Sequence, residues 1–257
     1  MRQLIAAGVM LIVTGCAGTG NENANYAPQG GADTEAQTRA RLHTELASGY
    51  FELGNYGVAL QEANEALKAE SNYGPAFNVL GLVYMGLRDD KSAETNFQRA
   101  LRVNALDSDT NNNYGWFLCQ RKREQESVKS FLAALRNPLY TTPEKSWTNA
   151  GICARQAGDL VAAEDYFQKA LKLRPNQLQA LLQMADMAYK RKNYPGAKAY
   201  LARLGPDATP TAEVLWLALR IERALGDRNA EASLAFQLRK NFPDSLEASD
   251  LTAGRYE

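Results

Sequence analysis

The sequence predicts an all-α fold: a superhelical solenoid of six helix-turn-helix repeats. Three observations predict it. First, a 34-residue unit recurs when the turns Gly54-Asn55-Tyr56, Gly158-Asp159-Leu160 and Gly226-Asp227 are aligned. The copies then begin at Ala40, Gly74, Ser108, Glu144, Leu178 and Ala212, in steps of 34, 34, 36, 34 and 34 residues. Second, the eighth position is small in five copies: Ala47, Gly81, Gly115, Gly151 and Ala185. The twentieth is Ala59, Ala93, Ser127, Ala163 and Ala197, and the twenty-seventh is Ala66, Ala100, Ala134, Ala170, then Leu204. Third, bulkier apolar residues fall between these sites at spacings of three and four, as a buried helical stripe requires.

Each repeat, 40–73, 74–107, 108–143, 144–177, 178–211 and 212–245, is expected to form two helices. In repeat one, Leu46, Tyr50 and Leu53 are expected to point inward from the first helix. The second helix carries Ala59, Leu60, Ala63, Ala66 and Leu67. Repeat two supplies Phe77, Leu80, Tyr84, Phe97, Ala100 and Leu101; repeat three supplies Tyr114, Leu118, Phe131, Ala134 and Leu135. Repeat four has Trp147, Gly151, Gly158, Ala163, Phe167, Ala170 and Pro175. Pro175 and Pro243 end helices because they lack a backbone donor. The two additional residues before repeat four fall near 137–143, where Pro138 and Pro143 stiffen a longer connection. That segment is either a contact loop or a tolerated surface insertion. Repeat six departs most, with Leu219 at position eight and Glu231 at position twenty, as an end repeat does. Residues 246–257 are expected to form a short capping helix and a frayed tail.

This period and pattern resemble the tetratricopeptide repeat, which implies a right-handed superhelical solenoid. One such hairpin cannot bury its apolar face alone, so neighbours stack and leave a concave surface.

The chain opens with Met1-Arg2, an apolar run from Leu4 to Val13, then Thr14-Gly15-Cys16. Residues 1–15 resemble a secretory signal and are too short to span a bilayer, which needs about 20 apolar residues. Val13-Thr14-Gly15-Cys16 resembles the bacterial lipobox, which implies acylation of Cys16 after cleavage before it. The alternative is an ordinary signal peptide with an incidental cysteine. Ala17, where inner-membrane retention favours Asp, implies delivery to the outer membrane. Residues 16–39, with Cys16 at their head and stretches such as Pro28-Gln29-Gly30-Gly31, read as a flexible tether of about 25 Å r.m.s. span.

Charge excludes other classes. The 29 basic residues match 29 acidic ones, so no long-range field attracts nucleic acid or an anionic bilayer. His43 is the only histidine, at a packing position in repeat one; no serine-histidine triad or polyhistidine metal site can be built elsewhere. No phosphate-binding or dinucleotide motif is present. The chain is therefore not expected to be an enzyme, nor to need a cofactor or a metal.

Two cysteines remain, Cys119 and Cys153, on the first helices of repeats three and four. Export would put them in an oxidising compartment, where they either form a bridge or stay as two buried small apolar residues.

In a tetratricopeptide stack, positions 2, 5, 9, 12 and 13 of the first helices line the groove. Carried across, these give Asn78, Leu82 and Met85; Asn112, Trp116, Cys119 and Gln120; Thr148, Ile152, Arg155 and Gln156; and Gln179, Leu182, Asp186 and Tyr189. Amides suit an extended peptide backbone, while Trp and Leu offer apolar anchors. This lining is not notably charged.

The segment Asn111-Asn112-Asn113-Tyr114-Gly115-Trp116-Phe117-Leu118-Cys119 is less generic, because Asn111 stands at position four, where a large apolar residue is usual. With the lipobox, the six repeats and Leu215-Trp216-Leu217, it resembles the type IV pilus biogenesis lipoproteins of the PilF/PilW family. That resemblance implies an outer-membrane pilotin that binds the pilus secretin and promotes its localisation and multimerisation. The competing reading is a general envelope scaffold that recruits peptidoglycan or outer-membrane biogenesis enzymes.

Overall fold

The structure is a computed structural model and describes residues 34–205 and 209–256. The signal, Cys16 and most of the expected tether lie outside the described residues. The described residues fold into thirteen α-helices. The pairs are α1 (Glu35–Glu52) with α2 (Tyr56–Ala69), α3 (Gly74–Gly86) with α4 (Asp90–Val103), and α5 (Ser108–Gln120) with α6 (Glu124–Ala134). They continue with α7 (Pro143–Gln156) and α8 (Leu160–Leu173), α9 (Leu178–Lys190) and α10 (Tyr194–Ala202), and α11 (Ala212–Leu225) and α12 (Arg228–Asn241), closed by α13 (Leu246–Thr252).

Helix α1 starts within the stretch expected to be tether. Thr34 accepts from the Gln37 backbone, and the Gln37 side chain accepts from the Thr34 backbone, forming a capping box. Residues 35–39, expected to belong to the tether, are therefore helix.

The turn inside each repeat uses one device throughout. Position fifteen adopts positive φ in all six copies: Gly54, Gly158 and Gly226, but also Arg88, Lys122 and Lys192. The next residue caps the second helix in four of them. Asp89, Asp159, Asn193 and Asp227 accept from the backbone amides of Ser92, Ala162, Gly196 and Ala230.

Between the helices of a repeat, glycine and phenylalanine interlock. A Cβ on Gly81, Gly115 or Gly151 would lie 2.6–2.8 Å from the ring of Phe97, Phe131 or Phe167. All three rings are fully buried. Repeats one and five use another pairing of volumes at these positions: Ala47 with Ala63, and Ala185 with Leu201.

The first helices touch their counterparts in the next repeat: α1 with α3, α3 with α5, α5 with α7, α7 with α9, α9 with α11. The Cα atoms of second helices in adjacent repeats stay more than 8 Å apart among the described residues. A row that packs more tightly on one side curves toward that side, so the first helices form the concave layer. Helix α13 packs on α11 and α12, taking the place a seventh first helix would fill.

Two expectations fail at the ends. Leu46 and Leu53 do not point inward; they are 50% and 80% exposed. Positions three, seven and ten of a first helix face the preceding repeat, as buried Ala76, Leu80 and Val83 do in α3. Among the described residues no repeat precedes repeat one, so the same side of α1 is exposed. The tail is not frayed either. Tyr256 stacks on Trp216 with ring centroids 5.6 Å apart, and the Arg223 guanidinium lies 3.9 Å from the Tyr256 centroid.

Candidate functional site

Two surfaces stand out, the concave layer and the open face of α1. The concave layer has three zones. Near repeats two to four, amides link adjacent first helices. Asn113 Nδ2 donates to Asn78 Oδ1 at 3.2 Å, and Asn149 Nδ2 donates to Asn112 Oδ1 at 3.0 Å. Ser146 Oγ also donates to Asn112 Oδ1, at 3.0 Å. Asn111 takes no part; it is buried and its amide donates to the carbonyls of Ala105 and Asp107. That polar residue thus pins the loop before α5 instead of filling the core.

The middle zone is apolar. Leu82, Met85, Trp116 and Ile152 are half-buried along it. Beneath Trp116, Cys119 pairs with Cys153 in a disulfide with Cα atoms 5.8 Å apart, packed with Phe131 and Ala150. Cys119 is therefore buried and lines no groove. Thr148 is buried as well, its hydroxyl donating to the Glu144 carbonyl at 2.7 Å, and Leu182 belongs to the core beside Ala185 and Leu217. Gln120, Gln156 and Gln179 are exposed.

The third zone, toward the C-terminal end, is charged, contrary to the expectation of a neutral lining. Arg155 donates to Gln183 and pairs with Asp186. Lys190 pairs with the same carboxylate at 3.2 Å, and Arg220 lies 3.8 Å from it. Tyr189 and Trp216 flank Arg220, with its guanidinium 5.0 and 5.7 Å from their ring centroids. Trp216 and Arg220, positions five and nine of repeat six, lie beyond the groove positions expected from repeats two to five.

The second surface is the open face of α1. Leu42, Leu46, Gly49, Tyr50 and Leu53 line a shallow cavity of about 650 Å³, with Glu45 as its charged wall residue. Spacings of four, three and four put Leu42, Leu46, Gly49 and Leu53 on one helical stripe. A solenoid end facing water ordinarily carries a polar outer face. Here the C-terminal end is closed by α13 while the N-terminal end stays apolar. His43 is elsewhere on α1, bonded through Nδ1 to Glu62 at 2.7 Å.

Comparison with known proteins agrees with this architecture. Tetratricopeptide-repeat family models match residues 78–140 and 154–220. The type IV pilus assembly protein PilF of Pseudomonas aeruginosa is 30% identical over 251 residues, covering 97% of this chain and 96% of that protein. The solved structure of Pseudomonas aeruginosa PilF superposes with a TM-score of 0.75 at 28% identity, over 86% of this chain and 100% of that one. The crystal structure of PilW, a widely conserved type IV pilus biogenesis factor, gives a TM-score of 0.73 at 31% identity, over 83% of this chain and 98% of that one. With six stacked hairpins and a full-length match at this identity, the chain belongs to the PilF/PilW family of tetratricopeptide-repeat proteins of type IV pilus biogenesis.

Proposed function

We propose that this protein is a pilotin: a lipoprotein, acylated at Cys16, that binds the type IV pilus secretin and promotes its localisation and multimerisation in the outer membrane. The open apolar face of α1 carries this reading. Leu42, Leu46 and Leu53 occupy the side where every other first helix receives a neighbour, and an exposed apolar patch of this kind marks an interaction site. A secretin segment with its own apolar helical stripe fits there as a missing repeat would. The amides and half-buried apolar residues of the concave layer extend the contact. Membership of a pilus biogenesis family supports a pilus component as the partner. The Cys119–Cys153 disulfide supports an exported, oxidising location, where such bonds persist. Several acyl chains on Cys16 would hold the protein stably, since one chain alone binds a bilayer only marginally.

Two variants test the reading in cells. Cys16→Ala leaves the solenoid folded but moves the protein out of the membrane fraction, with loss of secretin multimers. Leu46→Glu keeps the protein folded and membrane-bound, because the residue is half exposed, yet also lowers secretin multimers and surface pili. Normal multimer levels in the first variant would rule out lipid-borne piloting. Altered cell shape with intact pili on gene deletion would favour the envelope-scaffold reading.

A further inference from the structure

We propose that the C-terminal end of the concave groove holds a carboxylate-binding subsite, in which Arg220 receives a single carboxylate from a bound polypeptide. This rests on the reading of the groove as a polypeptide site. Arg220 projects from α11 into a cavity of about 220 Å³ lined by Arg155, Leu182, Asp186, Glu213, Trp216 and Glu247, among others.

The case is one of unused donors. Arg155 already donates to Gln183 and Asp186, and Lys190 reaches the same Asp186 oxygen at 3.2 Å. Arg220 is left at 3.8 Å from Asp186 Oδ1, beyond hydrogen-bond distance. Its Nε is buried without a hydrogen-bond partner, and none of its other N–H groups makes one among the described residues. A guanidinium carries five donors in a fixed planar fork, and leaving the buried Nε donor unmet costs free energy. The side chain is 14% exposed and is held by the faces of Tyr189 and Trp216. It is therefore fixed before any ligand arrives, which reduces the entropy lost on binding. A planar, preoriented cation with free donors matches a carboxylate, which can take two parallel hydrogen bonds.

The surroundings disfavour a polyacidic ligand, because the three cations already face three carboxylates, Asp186, Glu213 and Glu247. Within 4 Å of Asp186 stand three cations, Arg155, Lys190 and Arg220. Glu213 and Glu247 on the cavity wall carry no ion pair among the described residues and repel a run of acids.

The test uses the purified full chain and three rhodamine-labelled heptapeptides, read by fluorescence anisotropy. The first is Gly-Ser-Leu-Asp-Leu-Ser-Gly with an amidated end. The second replaces Asp by Asn, and the third is that Asn peptide with a free terminal carboxylate. The first or third peptide, depending on whether a side chain or a chain end is the source, should bind at least about tenfold more tightly than the second, as a hydrogen bond to a charged group implies. That preference should disappear in Arg220→Gln and shrink in Arg220→Lys, which keeps the charge but loses the fork. Thermal melts of both variants exclude unfolding as the cause. Equal binding of all three peptides overturns the subsite while leaving the groove as a polypeptide site. Binding of none overturns both, and a preference that survives Arg220→Gln places the carboxylate elsewhere.

Discussion

Gly115 shows how one missing side chain sets the packing of a repeat. A Cβ there would lie 2.8 Å from the Phe131 ring, which is fully buried and cannot swing aside. Gly115→Ala should therefore overpack the hairpin and cost about 1–3 kcal/mol in chemical denaturation. The chain contains its own remedy. Repeat five pairs Ala185 with Leu201, so Gly115→Ala with Phe131→Leu should lose less stability than the two single changes summed, by about 1 kcal/mol. Additive losses would show that the glycine is needed for something other than this ring. The small eighth position was legible in the sequence because it recurs at fixed spacing. Its partner was not, because pairing across a hairpin is a spatial fact that needs the helices in place.

At the scale of the element, the shared turn explains why glycine and basic residues alternate at position fifteen. The left-handed conformation costs an ordinary residue about 1–2 kcal/mol, so glycine suits it. Arg88, Lys122 and Lys192 accept that strain at the C-terminal end of a helix, where a cation meets the negative pole and recovers about 0.3–1 kcal/mol. Gly158 separates the two effects, because its φ is +85° and open space surrounds the point where a methyl group would stand. Gly158→Ala should destabilise by about 1 kcal/mol or more from conformation alone. Gly158→Lys should cost less than Gly158→Ala, and raising salt should narrow the gap. An equal cost for both would remove the electrostatic account of Arg88, Lys122 and Lys192. Helix identity and turns were readable from periodicity, yet the direction of the α1 stripe was not. Spacing alone says that Leu42, Leu46 and Leu53 share a face; only the absence of a preceding repeat says that this face is open.

In the whole molecule each repeat is stabilised only through its neighbours, so each junction contributes to cooperativity. The junction between repeats three and four is the one where the period lengthens to 36 residues, and there α6 ends at Ala134 and leaves 135–142 as connection. It is also the junction that the Cys119–Cys153 disulfide crosses, closing a loop with a sequence separation of 34. The same register that carried the groove assignment through repeats two to five applies to repeat six, but that repeat's altered core residues hid Trp216 and Arg220. The covalent tie spans the α5–α7 junction that the Asn149–Asn112 amide bond also crosses. Closing a loop of this length removes unfolded-state entropy worth about 3–4 kcal/mol in the chain-entropy treatment. For a protein of this size that corresponds to a fall in Tm of roughly 10 °C on reduction. Calorimetry with and without dithiothreitol checks this, with a Cys119→Ala/Cys153→Ala variant as the reductant-insensitive control. Hydrogen exchange after reduction should rise first in α5 and α7, where the bridge is anchored, and the unfolding transition should broaden as repeats one to three uncouple from four to six. An unchanged Tm, or exchange that rises first at α1 or α12, would mean that apolar contacts such as Phe131 against Ala150 already couple the two halves without the bond.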